Sequence, residues 1–220
     1  MKLFISALVI AVSVYGCSSA TTDGESGSKS SKKNGKYSAE SGIVVYEAAL
    51  PQNMGSNMRT LYFDDYGKQE KIVTVTSISA MGQSMNTETH SLIKDGYVYT
   101  WAPDESTGSK YKLEGRQDPS NLEYDNLTDE MKEKFNVKEE GTEELMDKKC
   151  NIYSMAYEGI AGKVWVWDNL PLKIQASAMG MIMTEKATDL QINVNIPKNN
   201  FELPEIEFSE ISQETSAEAY

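Results

Sequence analysis

GKVWVWDNLPLKIQASA, residues 162–178, decides the fold class. Val164 and Val166 alternate with Trp165 and Trp167. After Asp168–Asn169, Leu172, Ile174 and Ala176 alternate with Lys173, Gln175 and Ser177. A period of two sends successive side chains to opposite faces of a strand. The stretch therefore predicts two antiparallel strands joined by a short turn. LQINVNI, residues 190–196, repeats the pattern with Leu190, Ile192, Val194 and Ile196 against Gln191, Asn193 and Asn195. Half-buried antiparallel strands have this alternation, one face apolar and the other wet.

The same period runs through the N-terminal half. GIVVYEAAL (42–50), RTLYF (59–63), KIVTVTSIS (71–79), THSLI (89–93), YVYTW (97–101) and SKYKL (109–113) all read as strands. They are punctuated by the acidic turn Asp64-Asp65-Tyr66-Gly67 and by Lys94-Asp95-Gly96, whose Asp-Gly pair is a hairpin signal. One helix is predicted from Thr128, its N-cap, with Asp129 and Glu130 at the positive end of the dipole. Leu127, Met131 and Phe135 recur every four residues on its apolar side. About ten strands with no βαβ rhythm predict a mainly β fold: a curved antiparallel meander, an open or half barrel. One or two short helices would lie across the concave side, where an apolar interior can take their apolar faces.

The N-terminus is an address rather than part of this fold. Residues 1–16 hold Lys2 and a 12-residue apolar run, Leu3–Val14, shorter than the about 20 residues a bilayer-spanning helix needs. Val14-Tyr15-Gly16-Cys17 resembles a bacterial lipobox. That resemblance implies cleavage after Gly16 and a diacylglycerol on the Cys17 thiol. The alternative is an ordinary secretory signal that ends on a cysteine. Residues 17–41 are read as a Ser-, Gly- and Lys-rich tether, 42–208 as the folded domain and 209–220 as an acidic tail. A flexible tether of this length reaches roughly 25–30 Å.

Composition narrows the function. Among 220 residues the net charge is -12, which opposes nonspecific contact with nucleic-acid phosphates. His90 is the single histidine, and Cys150 is the one cysteine besides Cys17, so the usual zinc ligands are lacking. Neither a phosphate-binding glycine loop nor a nucleophile elbow occurs. Asp64, Asp65 and Glu70 cluster at a strand turn, where Asp commonly bonds its own backbone. Glu88 and His90 share a strand face without an evident nucleophile or third group. Cys150 reads as a small buried hydrophobe. No enzyme activity, metal or cofactor is expected.

What stands out is soft apolar surface. Met54, Met58, Met81 and Met85 cluster early, and Met179, Met181 and Met183 late, the last three alternating beside Gly180. Methionine adapts to irregular apolar partners. Tyr97, Tyr99, Trp101, Trp165 and Trp167 add large rings. Two readings stay open for these residues: they fill a core, or they line a pocket for a hydrophobic ligand.

GIVVYEAAL, LYFDDYGKQEK (61–71), IKDGYVYTW (93–101) and GTEELMDKKCNIYSM through GKVWVWDNLPLKIQA (141–176) together resemble the LolA-like lipoprotein-carrier half-barrel superfamily. Within it the nearer likeness is to LolA-like lipoproteins of Bacteroidetes-type bacteria. The resemblance implies an incomplete barrel, a helix-lidded apolar hollow and acyl-chain ligands. It also implies a cell-envelope location, at the outer membrane facing the periplasm. A chain anchored through Cys17 departs from a soluble carrier. The expectation is an anchored protein whose hollow takes a lipid or acyl group, lined by Tyr97, Tyr99, Trp101, Trp165, Trp167, Met179, Met181 and Met183. Leu127, Met131 and Phe135 would gate it. The alternative is a structural or interaction module with a filled core.

Overall fold

The structure, a computed structural model, describes residues 35–50, 54–80, 83–113, 123–157, 160–178 and 181–211. Six strands come first: β1 (Gly42–Ala49), β2 (Gly55–Asp64), β3 (Gln69–Ala80), β4 (Gln83–Lys94), β5 (Tyr97–Trp101) and β6 (Thr107–Lys112). A short helix, α1 (Asp129–Lys134), separates them from β7 (Lys138–Leu145), β8 (Lys148–Tyr157), β9 (Ile160–Trp167), β10 (Leu170–Ala178) and β11 (Met181–Ile192). β12 (Glu207–Glu210) ends the described chain. All twelve join one sheet in the order β12-β6-β5-β4-β3-β2-β1-β11-β10-β9-β8-β7. The sheet is curved and open, and α1 lies across it, as the alternation predicted. Its one departure from antiparallel pairing is the parallel edge pair of β12 with β6.

Local chemistry sets the turns. Asp168 and Asn169 both adopt left-handed backbone, φ 53° and 62°, the geometry that matches the twist of a two-residue hairpin. Asp95 and Gly96 do the same between β4 and β5. Register between β9 and β10 slips between Pro171 and Lys173, where Pro171 has no N–H to offer the ladder. This corrects the simple alternation. Leu172 packs with Trp165 in the main core, whereas Ile174 packs with Val164 against α1. Val164, Trp165 and Val166 are all buried, so β9 is covered on both faces instead of having one wet side.

Register carries the faces across the sheet. Tyr153, Val164, Ile174, Glu185, Ala48, Asn57 and Thr76 lie side by side on one face. The neighbouring rung, Ile152, Trp165, Lys173, Lys186, Glu47, Met58 and Val75, points to the other. Among the described residues, three apolar clusters form the core. The main one holds Tyr37, Val44, Tyr46, Leu61, Phe63 and Leu172. A second gathers Tyr153, Val164 and Val166 around Phe135. In the third, Ile196 and Phe201 of the C-terminal segment cover Leu92 and Trp101.

The tether expectation for 17–41 needs correction at its end. Residues 35–41 pack into the fold: Tyr37 is fully buried, its N–H donates to the Tyr66 carbonyl at 3.1 Å, and Tyr66 N–H donates to Glu40 O at 2.9 Å. Lys36 Nζ meets Glu70 Oε1 at 2.8 Å, and Asn169 Nδ2 donates to Lys36 O at 3.0 Å. Average composition hid this, because one ring and one ion pair suffice to fix a short strap. At the other end, β12 continues to Glu210, and Ile211 N–H donates to Lys110 O at 2.9 Å, so pairing enters the predicted tail. Cys17, the first 16 residues and most of the tether lie outside the described residues.

Candidate functional site

The helix begins where the sequence placed it. Thr128 Oγ1 accepts the Met131 N–H at 3.2 Å, and Asp129 and Glu130 occupy the first turn. Six residues cannot hold a helix alone, so packing must supply its stability. Phe135, at its C-terminal end, is fully buried and meets Tyr157 edge-on at 5.1 Å between centroids. Leu127 and Met131 pack into the same cluster. Between this segment and β8 lies a cleft of about 380 Å³, lined by Tyr124, Leu127, Lys132, Val137, Glu139 and Tyr153. Tyr124 and Tyr153 stack at 5.0 Å between centroids. Lys132 and Glu139 are exposed, and the surface lining the cleft is more polar than apolar, with Leu127, Val137 and the two tyrosine rings supplying its apolar part.

The face carrying Tyr153 also carries a buried polar group. Arg59 pairs with Glu185 through two bonds, Nε–Oε1 at 2.9 Å and Nη2–Oε2 at 2.6 Å, and Tyr46 lies over the guanidinium at 3.9 Å. Arg59 and Tyr46 are neighbours in register, two residues along from Asn57 and Ala48. Lys36–Glu70 forms a second buried pair on this face. Among the described residues, the Tyr37 and Tyr46 hydroxyls, Asn57 Oδ1, Arg59 Nη1 and Glu70 Oε2 are buried with no partner at hydrogen-bond distance and angle. Burial works against the Arg59 charge, but the Glu185 carboxylate outweighs it and holds the guanidinium protonated beyond its ordinary range. Burial lowers Lys36, with Glu70 opposing. Tyr37 is pushed well up by burial and then by Glu70, and Tyr46 is pushed up by burial against Arg59. These phenols keep their protons, Arg59–Glu185 ties β2 to β11, and Lys36–Glu70 ties the N-terminal strap to β3. The set is built for holding, with no activated nucleophile.

The residues expected to line one hollow fall on different faces. Tyr97, Tyr99 and Trp101 share a face of β5 opposite the one that carries Tyr46 and Arg59. There Phe208 meets Tyr99 at 5.1 Å and Trp101 at 6.1 Å between centroids, and the C-terminal segment covers them. Trp165 and Trp167 join the main core. Trp165 Nε1 donates to Glu143 Oε2 at 2.5 Å, and Lys173 lies 3.9 Å over its ring. Met181 and Met183 share the face of Glu185 and α1, toward the far end of β11. Met179 is outside the described residues. The aromatics and the methionines are thus not brought together, whereas Leu127, Met131 and Phe135 are.

Tyr124, Val137, Tyr153 and the Lys36–Glu70 pair escaped the sequence reading. Tyr153 sat in a recognised strand, but nothing local said which face α1 would cover. His90 Nε2 lies 2.6 Å from Glu88 Oε1 and edge-on to Trp101, with no nucleophile in the arrangement. Burial raises the Cys150 thiol, which makes it a poorer nucleophile. Among the described residues no three acidic, His or Cys side chains gather to hold a metal, and no helix is long and apolar enough to cross a membrane.

No protein-family model matches the chain, and no curated protein does. Solved structures match at low identity. PNGF-II matches 81% of this chain at 10% identity with a TM-score of 0.47, and the match covers 33% of that chain. The MucA/MucB complex of Pseudomonas aeruginosa matches 74% at 9% identity and 0.45, covering 56% of its chain. A LolA superfamily protein from Nitrosomonas europaea matches 74% at 9% identity and 0.30, covering 89% of its chain. The chain therefore spans a third of PNGF-II and just over half of the matched chain in the MucA/MucB complex. At these identities and scores the likenesses carry nothing about ligand or activity.

Proposed function

We propose that this protein is a non-catalytic lipoprotein of the bacterial envelope, anchored through lipidated Cys17 in the outer membrane and facing the periplasm, that binds a lipid or acyl chain under α1. The observation that carries the reading is the cleft of about 380 Å³ between a minimal helix and the exposed-edge half of an open sheet. Its size falls within the about 300–1,000 Å³ of small-molecule sites. Tyr124, Leu127, Val137 and Tyr153 offer apolar surface to a short stretch of hydrocarbon, and the more polar remainder of the lining, with Lys132 and Glu139, suits a headgroup. Apolar burial at about 25 cal/mol per Å² supplies the binding energy. Because α1 has six residues and rests on the Phe135 cluster, small movements of Leu127 and Met131 open the cleft.

The test is native mass spectrometry of the full chain with extracted envelope lipids. Wild type gains lipid adducts, and Val137→Trp, which fills the cleft, abolishes them while the melting temperature stays within about 4 °C. Adducts that persist undiminished in Val137→Trp overturn the cleft as the site. A second reading, a structural or interaction module with a filled core, is favoured by the tight packing of Tyr37, Tyr46, Leu61 and Phe63, each 1% exposed or less. Wild-type protein that takes up no lipid supports that reading.

A further inference from the structure

Charge crowds the part of the molecule that carries α1 and β7. Residues 123–144 hold nine Asp or Glu against three Lys. Several of these side chains already have partners. Lys134 lies over the rings of Phe135 and Tyr157, at 5.2 and 5.9 Å from their centroids. On β7, Glu140 pairs with Lys163, and Glu143 accepts from the Trp165 indole. Lys132 and Glu139 differ from these. Both line the cleft under α1, and neither forms an ion pair among the described residues. They are the only charged side chains among the six residues that line it.

The backbone puts these two charges on different walls. Lys132 belongs to α1, and its carbonyl accepts the Val137 N–H at 2.8 Å where the chain turns back into the sheet. Glu139 belongs to β7 and stands opposite Tyr153 of β8 in register. Both side chains are exposed, so a ligand in the cleft meets them beside solvent.

We infer that the cleft selects a zwitterionic phospholipid headgroup, a phosphodiester bearing a primary ammonium, over an anionic one. The inference rests on the cleft being the lipid site proposed above, and names the headgroup that this site takes. Lys132 offers one cation to one phosphate, in a charge-assisted hydrogen bond. Glu139 offers a carboxylate, which only accepts, to the three N–H donors of an ammonium. One charge of each sign complements a headgroup that is neutral overall and carries both. An anionic headgroup satisfies Lys132 but brings no cation to Glu139, and its unbalanced charge meets the excess of carboxylates on residues 123–144. A purely cationic ligand satisfies Glu139 and leaves Lys132 without an anion.

The test is native mass spectrometry of the full chain with equimolar phosphatidylethanolamine and phosphatidylglycerol of identical acyl chains. Wild type carries about three-fold more of the ethanolamine lipid, a ratio within reach of one exposed ion pair. Glu139→Gln, at an unchanged melting temperature, brings the two adducts to parity, and Glu139→Lys reverses their order. Lys132→Gln weakens uptake of both lipids about three-fold, because both carry the phosphate. Equal shares on wild type overturn the inference and leave the cleft standing as a lipid site. An ethanolamine preference that survives Glu139→Lys overturns it as well, because the selection then lies elsewhere. Absence of both adducts, or adducts undiminished in Val137→Trp, removes the cleft as the lipid site, and the inference falls with it.

Discussion

Tyr37 is the residue on which the strap turns: its ring packs 4.5 Å from Phe63, and its hydroxyl is buried beside Glu70. Tyr46 is in the same position over Arg59. Both phenols are held above their ordinary value in the fold, so above pH ~10 the unfolded chain loses protons that the native state keeps. Stability therefore falls as pH rises through that point. Lys36, lowered in the fold, acts with the opposite sign. Its unfolded form holds the extra proton, so it adds stability up to about pH 10.5 and cannot cause the fall. Urea midpoints measured from pH 8 to 11 should drop for wild type and flatten in Tyr37→Phe/Tyr46→Phe. A wild-type curve that stays level through this range would refute the assignment. The sequence showed Tyr37 only as a lone ring in a polar stretch. Its burial needed Tyr66, Phe63 and Asn169, all distant in the chain.

At the scale of elements, local rules predicted well wherever neighbours in sequence decide. Thr128 caps α1, Asp95–Gly96 turns β4 into β5, and Asp64 Oδ1 accepts the Asp65 N–H at the acidic turn. A side-chain cap of this kind is worth about 1 kcal/mol, a factor of about five in an opening equilibrium. In Thr128→Ala, hydrogen exchange at the Met131 and Lys132 amides should accelerate roughly five-fold. Amides of β1 to β3 should keep their protection. Global acceleration instead would mean that α1 is not a separately opening element. Where elements meet, local rules failed. The slip at Pro171 separates Leu172 from Ile174, and alternation alone cannot register it.

The whole molecule is two meanders joined side by side. β1 pairs with β2 on one flank and with β11 on the other, residues more than a hundred apart, so contacts of long range complete the sheet. The Arg59–Glu185 pair spans this seam from β2 to β11 across β1. Removing one partner strands a buried charge. Arg59→Ala should cost about 3–5 kcal/mol in denaturant unfolding, and Arg59→Ala/Glu185→Ala less than the single change. A double variant as unstable as the sum of both singles would show that the pair does not couple the two halves.

The sequence by itself determined the strands, most of their turns and the helix start. Each of these rests on periodicity, capping or charge between near neighbours. Tertiary structure alone decided the faces. It set Tyr99 and Trp101 under the C-terminal segment, away from Met181 and Met183, and it drew Lys36 and Tyr37 into the core. Which face a strand shows to which partner depends on the pairing of β1 with β11 and on bulges, and no local pattern encodes either.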